Sequence, residues 1–224
     1  GILLSLIGAI GFTAASLLFM RPLLHLMNTP ENIFAQAYEY ISLISLGMVA
    51  NVFYNLFSSY LRAVGNSRMP LVFLVLSACL NVVLDLILII NFKMGVAGAA
   101  WATNLSQAIS AVLCAVYIYK KVPALMPEKR HWRFHKGDTR YQLATGIPMA
   151  LQFAITSSGT MVMQSAINLF GSEAVAAYTA AGKIHGLLTQ GMVAMGQTMA
   201  VYSGQNYGKG DAGRIRQGVR AALI

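Results

Sequence analysis

NVVLDLILIINFKMGVAGAAWAT, residues 81–103, is the stretch on which the reading of the chain turns. It predicts an apolar helix, a short turn at Lys93-Met94-Gly95 and a second apolar helix. Asp85 is an acid in the middle of the first hydrophobic run, and Asn81 lies one helical turn before it, so both side chains share a face. Asp85 stands nine residues before Met94 and Thr103 nine after it. If both arms are helical and pair back to back, each lies ~13 Å from the turn at a rise of ~1.5 Å per residue. Carboxylate, amide and hydroxyl oxygens then converge at one depth of an apolar hairpin, a donor set that suits a hard cation. The pair Asn81 and Asp85 serves equally as a structural hydrogen-bond link between two helices, and the residues alone leave both readings open.

Outward from this hairpin the composition is that of a membrane protein. The chain is 57% hydrophobic and 10% charged, against about 25% charged in an ordinary soluble domain. Apolar runs cover about 1–20, 33–61, 69–91, 96–119, 141–169 and 174–203, each long enough for a bilayer core of ~30 Å. The polar stripes that a soluble helix carries are nearly absent. The expected fold class is all-α, a polytopic helical membrane protein. The chain begins at Gly1 already within one apolar run and ends at Ile224 within another, so it reads as a fragment, and a missing signal peptide carries no weight. Cys79 and Cys114 fall within spans at depths ~7 Å apart, which argues for two small buried side chains rather than a disulfide.

The net charge of +9 is explained by orientation. With alternating spans, every Lys and Arg falls on one side except Arg21 and Lys93 opposite and Lys183 inside the last full span. That asymmetry is the positive-inside pattern, and one span more or fewer would scramble it. It places loops 62–68, 120–140 and 205–216 in the cytoplasm, with contact to anionic lipid. The basic residues therefore do not point to nucleic acid, whose phosphates such charge would otherwise grip.

Along the chain, the first span ends outside at Arg21-Pro22, and Glu31 suits the first turn of the next helix. Glu39 is read as an interfacial, solvated acid. LRAVGNSRMP, residues 61–70, is a turn in which Gly65-Asn66 permits positive φ and Pro70 opens the following helix. Gly95, Gly98, Ala99 and Ala102 form a small-residue face that lets two helix backbones approach closely. Residues 120–140 are the longest polar segment and the natural boundary between a part at 1–119 and a part at 141–224. His131 and His135 in it lack a Cys or acid at ligand spacing and are read as solvated loop histidines. Pro148 predicts a kink or a locally unpaired carbonyl in the fifth span. In the sixth, Lys183 and His185 snorkel toward the interface, while Met192, Met195 and Met199 share one face and Gln190 and Gln197 another. A methionine stripe is usually packing; on a cavity wall it suits varied apolar shapes.

Taken together, LRAVGNSRMP, NVVLD, GVAGAAWATNLSQ, GIPMALQ, INLFGSEAVAAYTAAGKI and SGQNYGKGD resemble, in order and spacing, the multidrug and toxic compound extrusion (MATE) family of secondary transporters. The resemblance covers essentially the whole chain. It implies a two-lobe bundle of which this chain carries the third to eighth helices and the start of the ninth: four helices of the N-lobe in 1–119, a cytoplasmic connector at 120–140, and part of the C-lobe in 141–224. One branch of the family binds its coupling cation through an Asn and an Asp one turn apart on the fifth helix, a Thr on the sixth and an Asp on the first. The first three map onto Asn81, Asp85 and Thr103. Another branch uses a Glu shortly after the Gly-x-Pro of the seventh helix. Thr156 occupies that position here, which favours the N-lobe site.

The function this implies is H+- or Na+-coupled export of amphiphilic or cationic compounds across the cell membrane by alternating access, by a protein that is monomeric when full length and needs no cofactor. A bare carboxylate inside a span is unfavourable, and a proton, Na+ or a cationic drug relieves it. Gln152, Thr156, Lys183, Gln190 and Met192 are the candidate lining of the substrate cavity. The rival within transport is a flippase for lipid-linked saccharides, whose cavity calls for cationic residues; within the spans only Lys183 qualifies. A membrane-embedded enzyme is disfavoured, because H-E-x-x-H, G-x-S-x-G and paired intramembrane carboxylates are all missing.

Overall fold

A computed structural model describes residues 1–26, 31–125 and 136–223. Its helices are α1 (Ile2–Leu26), α2 (Glu31–Ala63), α3 (Arg68–Leu86), α4 (Gly95–Lys121), α5 (Lys136–Asn168), α6 (Ser172–Gly208) and α7 (Ala212–Leu223). A π-helical segment, Ile87–Asn91, continues α3, and a 3₁₀ turn, Pro123–Leu125, follows α4. The chain divides into two compact units, Gly1–His135 and Lys136–Ile224.

Local chemistry accounts for the helix ends. Glu31 lies in the first turn of α2, where its charge meets the positive end of the helix dipole. The α2–α3 corner is closed by Asn66 N–H on the Leu61 carbonyl (2.9 Å) and Gly65 N–H on the Arg62 carbonyl (3.0 Å). Gly65 sits at φ 85°, the left-handed position that this helix stop requires. Tyr54 then ties the corner down by donating to the Pro70 carbonyl at 3.0 Å, and Asn66 Nδ2 donates to the Tyr117 hydroxyl at 3.2 Å. Both are long-range links that fix the corner against α3 and α4.

In the first unit α4 packs along α2 and α3, and α1 lies on α2. The core is Tyr54, Leu61, Phe73, Ala111, Cys114 and Ile118. Ser58, Ser106 and Ser110 are almost wholly buried among these helices. Small side chains at helix contacts allow the backbones to approach, and close packing is what holds helices together in lipid. Glycine does the same at two crossings. A Cβ on Gly98 would stand 3.3 Å from the Leu88 backbone, and one on Gly47 would collide with the Asn104 side chain. Asn104 uses that space to donate to the Leu43 carbonyl at 2.6 Å. Large apolar residues such as Leu18, Leu71 and Val112 point outward, as lipid-facing positions do.

Several expectations are revised. α1 does not stop at Arg21-Pro22 but runs on to Leu26 with Pro22 inside it. Helix also takes both ends of the expected connector, since α4 reaches Lys121 and α5 starts at Lys136; His131 and His135 lie outside the described residues. Cys79 is exposed rather than buried, while Cys114 is buried, and both are free thiols. α5 contains Pro148 within its helical span, which is compatible with the kink or unpaired carbonyl expected there. Among the described residues four helical stretches, Ile2–His25, Ile33–Ala63, Arg68–Asn91 and Gly95–Lys121, are long and apolar enough to cross a membrane. α5 and α6 have the length, 33 and 37 residues, but carry more Gly, Ser, Thr and Gln. Much of that polarity is satisfied within the helix. Thr145, Thr156, Thr160, Ser165, Thr179 and Thr198 each donate a hydroxyl to the carbonyl one turn earlier.

Candidate functional site

The α3–α4 hairpin brings two of its three candidate residues into contact. Asn81 Nδ2 donates to Thr103 Oγ1 at 3.4 Å, and the Thr103 hydroxyl donates to the Ala99 carbonyl at 3.0 Å. The inter-helix bond is beyond the usual 2.7–3.2 Å range and therefore weak. Asp85 is half-buried one turn above Asn81, and its Oδ1 is buried with no hydrogen-bond partner among the described residues.

The register differs from mirror symmetry about Met94, which would set Asp85 opposite Thr103. Asn81 bonds to Thr103 instead, and the end of α3 is π-helical. Phe92 N–H donates to the Ile87 carbonyl (3.2 Å) and Met94 N–H to the Leu88 carbonyl (3.0 Å), so the last turn is wide and rises less per residue. That shortens the α3 arm a little, and Phe92, Lys93 and Met94, which lie outside both helices, shorten it further, so an earlier residue meets Thr103. The turn closes with Lys93 at φ 54° and Gly95 at φ 55°. Side chains on a helix lean toward its N-terminus, so the Asp85 carboxylate inclines back toward the Asn81–Thr103 contact.

Gln107 was not among the sequence candidates. It lies one turn beyond Thr103 on α4, and its Oε1 is buried without a partner among the described residues. Because α4 runs antiparallel to α3, Gln107 leans toward Thr103 from the opposite side to Asp85. The one-turn rule that linked Asn81 to Asp85 applies to Thr103 and Gln107 as well, and was the available signal. An unpartnered carboxylate oxygen and an unpartnered amide oxygen thus flank a loose amide–hydroxyl contact. Such a group of acceptors fits a bound cation or a shared proton.

The second unit places its candidates otherwise. Gln152, Thr156, Lys183, Gln190 and Met192 are all exposed on α5 or α6. Thr156 gives its hydroxyl to the main-chain carbonyl of Gln152 at 2.9 Å. In the first unit, an apolar groove of about 540 Å³ runs between α2 and α4, lined by Phe53, Phe57, Trp101 and Leu105 among others, with Asn104 as its polar member.

Residues 1–87 and 148–224 match the sequence profile of the MatE family. The chain is 34% identical over 209 residues to the probable multidrug resistance protein YpnP of Bacillus subtilis, covering 92% of this chain and 46% of that protein. It is 29% identical over 233 residues to the probable multidrug resistance protein NorM of Thermotoga maritima, covering 95% and 48%. The crystal structure of a MATE protein in its bent conformation superposes with a TM-score of 0.88 at 25% identity, covering 99% of this chain and 50% of that one. The chain spans about half the length of the curated relatives it matches. On the profile match and the superposition together, this all-helical membrane chain belongs to the MatE family.

Proposed function

We propose that the chain forms part of a cation-coupled antiporter that exports amphiphilic or cationic small molecules across the cytoplasmic membrane, with H+ or Na+ as the coupling ion. The observation that carries this reading is the buried, unpartnered Oδ1 of Asp85 one turn from the Asn81–Thr103 contact. A buried polar atom without a partner costs about 1–3 kcal/mol. A proton or Na+ arriving at Asp85 offsets that cost, and the amide and hydroxyl oxygens beside it complete a hard-cation donor set. Cation and cationic substrate then compete for one carboxylate, so that entry of the ion favours release of the substrate during alternating access. The multidrug-resistance names of the relatives are consistent with this. Gln152, Thr156, Lys183, Gln190 and Met192 are proposed to line the substrate path from the second unit.

The test is Asp85→Asn in the full-length transporter, assayed by substrate efflux from proteoliposomes under an imposed Na+ or proton gradient. The amide keeps the shape and removes the charge, so gradient-driven efflux is expected to fall at least about tenfold, the effect of losing ~1.4 kcal/mol of ion binding. Efflux that keeps its full gradient dependence would take Asp85 out of the mechanism.

A further inference from the structure

The α6–α7 corner repeats the chemistry of the α2–α3 corner but leads to a helix of a different kind. Asp211 N–H donates to the Asn206 carbonyl and Gly210 N–H to the Tyr207 carbonyl, both at 2.9 Å, with Gly210 at φ 76°. Asp211 then caps α7 by accepting Arg214 N–H at 3.0 Å. Tyr202 fixes the return path, because its hydroxyl donates to the Arg214 carbonyl at 3.1 Å and its ring fills the place a Cβ on Gly218 would take. α7 therefore runs back along the last turns of α6.

Its sequence, AGRIRQGVRAAL, is strongly two-faced. Ile215, Gly218 and Ala222 are partly covered, whereas Val219 and Leu223 on the same side are 43% and 83% exposed. Arg214 flanks this edge on one side and Arg216 and Arg220, one turn apart, on the other, and all three are exposed. The neighbouring acid, Asp211, is engaged in the cap. No ion pair holds the three guanidiniums among the described residues.

Depth decides what meets them. α6 has 37 residues and is about 55 Å long, against a hydrocarbon core of ~30 Å. Shared between both ends, the excess is ~12 Å per side, and Tyr202 lies only ~9 Å from the end of α6. The α6–α7 contact thus falls at headgroup level, where an apolar edge flanked on both sides by unpaired guanidiniums complements an acidic lipid surface.

We propose that α7 is an interfacial helix whose Arg214, Arg216 and Arg220 bind the phosphates of anionic lipids while Val219 and Leu223 enter the acyl boundary. The inference depends on residence in a membrane and is independent of what is transported. The full chain, placed in nanodiscs of phosphatidylcholine alone or with added phosphatidylglycerol, is followed by hydrogen exchange over residues 212–223. Each arginine near an anionic surface contributes roughly a fivefold preference, so exchange is expected to slow about tenfold or more in the anionic discs. Raised salt should diminish the difference, since these charges are screenable. Replacement of all three by Gln should abolish it, and replacement by Lys should keep most of it. Equal exchange in the two lipids, as in the first turns of a helix that simply continues across the bilayer, would overturn the proposal. So would a lipid difference that survives the Gln substitutions.

Discussion

Asn81→Ala separates a cation ligand from a structural link, because the two roles differ in what they leave behind. The bond that Asn81 gives to Thr103 is 3.4 Å long and joins half-buried side chains. A neutral hydrogen bond contributes about 0.5–1.5 kcal/mol at good geometry, and one this long belongs at the bottom of that range. Ala is also the better helix former, by up to ~0.7 kcal/mol, so the net change in fold stability should be close to zero. The same amide held against a cation is a hydrogen-bonding partner of a charge, worth about 1.5–3 kcal/mol, or ~10- to 150-fold in ion affinity. Thermal unfolding of the detergent-solubilised protein should accordingly be nearly unchanged, while the Na+ or proton concentration for half-maximal efflux rises at least about tenfold. A fall of several degrees in unfolding temperature with unaltered ion dependence per folded molecule would refute the reasoning and leave Asn81 as a structural tie.

Gln107→Leu removes a buried amide whose oxygen has no partner among the described residues; stability, read by thermal unfolding, should be unchanged or raised by ~1 kcal/mol, whereas the ion dependence of efflux should weaken if the amide belongs to the cation path. Gly47→Ala forces the Asn104 side chain out of its place and breaks its bond to Leu43, for an expected loss of about 1–3 kcal/mol. Adding Asn104→Ala should restore part of that stability, and purely additive losses in the double mutant would show that the two residues are not coupled. Gly65→Ala places a side chain at φ 85° and should cost about 1–2 kcal/mol, read as a lower unfolding temperature with efflux per folded molecule intact.

Of the candidate site, the shared face of Asn81 and Asp85 was legible from residues 81–103, because the helical period alone sets them one turn apart. The pairing across the hairpin was not. Counting from Met94 assumes equal helical rise on both arms, but Phe92, Lys93 and Met94 are non-helical and the segment before them π-helical, all on the α3 side, so Asn81 rather than Asp85 reaches Thr103. Gln107 was within reach of the same one-turn rule, but burial of its oxygen without a partner among the described residues is seen only in the fold. Cys79 and Cys114 look alike in sequence, yet one faces outward and the other sits in the α2–α4 core, since an all-apolar helix does not announce which side meets lipid.

By itself, the sequence determined that the chain is helical and where the corners at Gly65 and at Lys93 to Gly95 lie. Those properties follow from local terms: hydrocarbon length and glycine at left-handed φ. Only the tertiary structure decided which faces touch, which polar atoms found partners and which did not, and that α7 folds back along α6. Such outcomes depend on the rotation and rise of one helix against another, where a single wide turn moves every later contact.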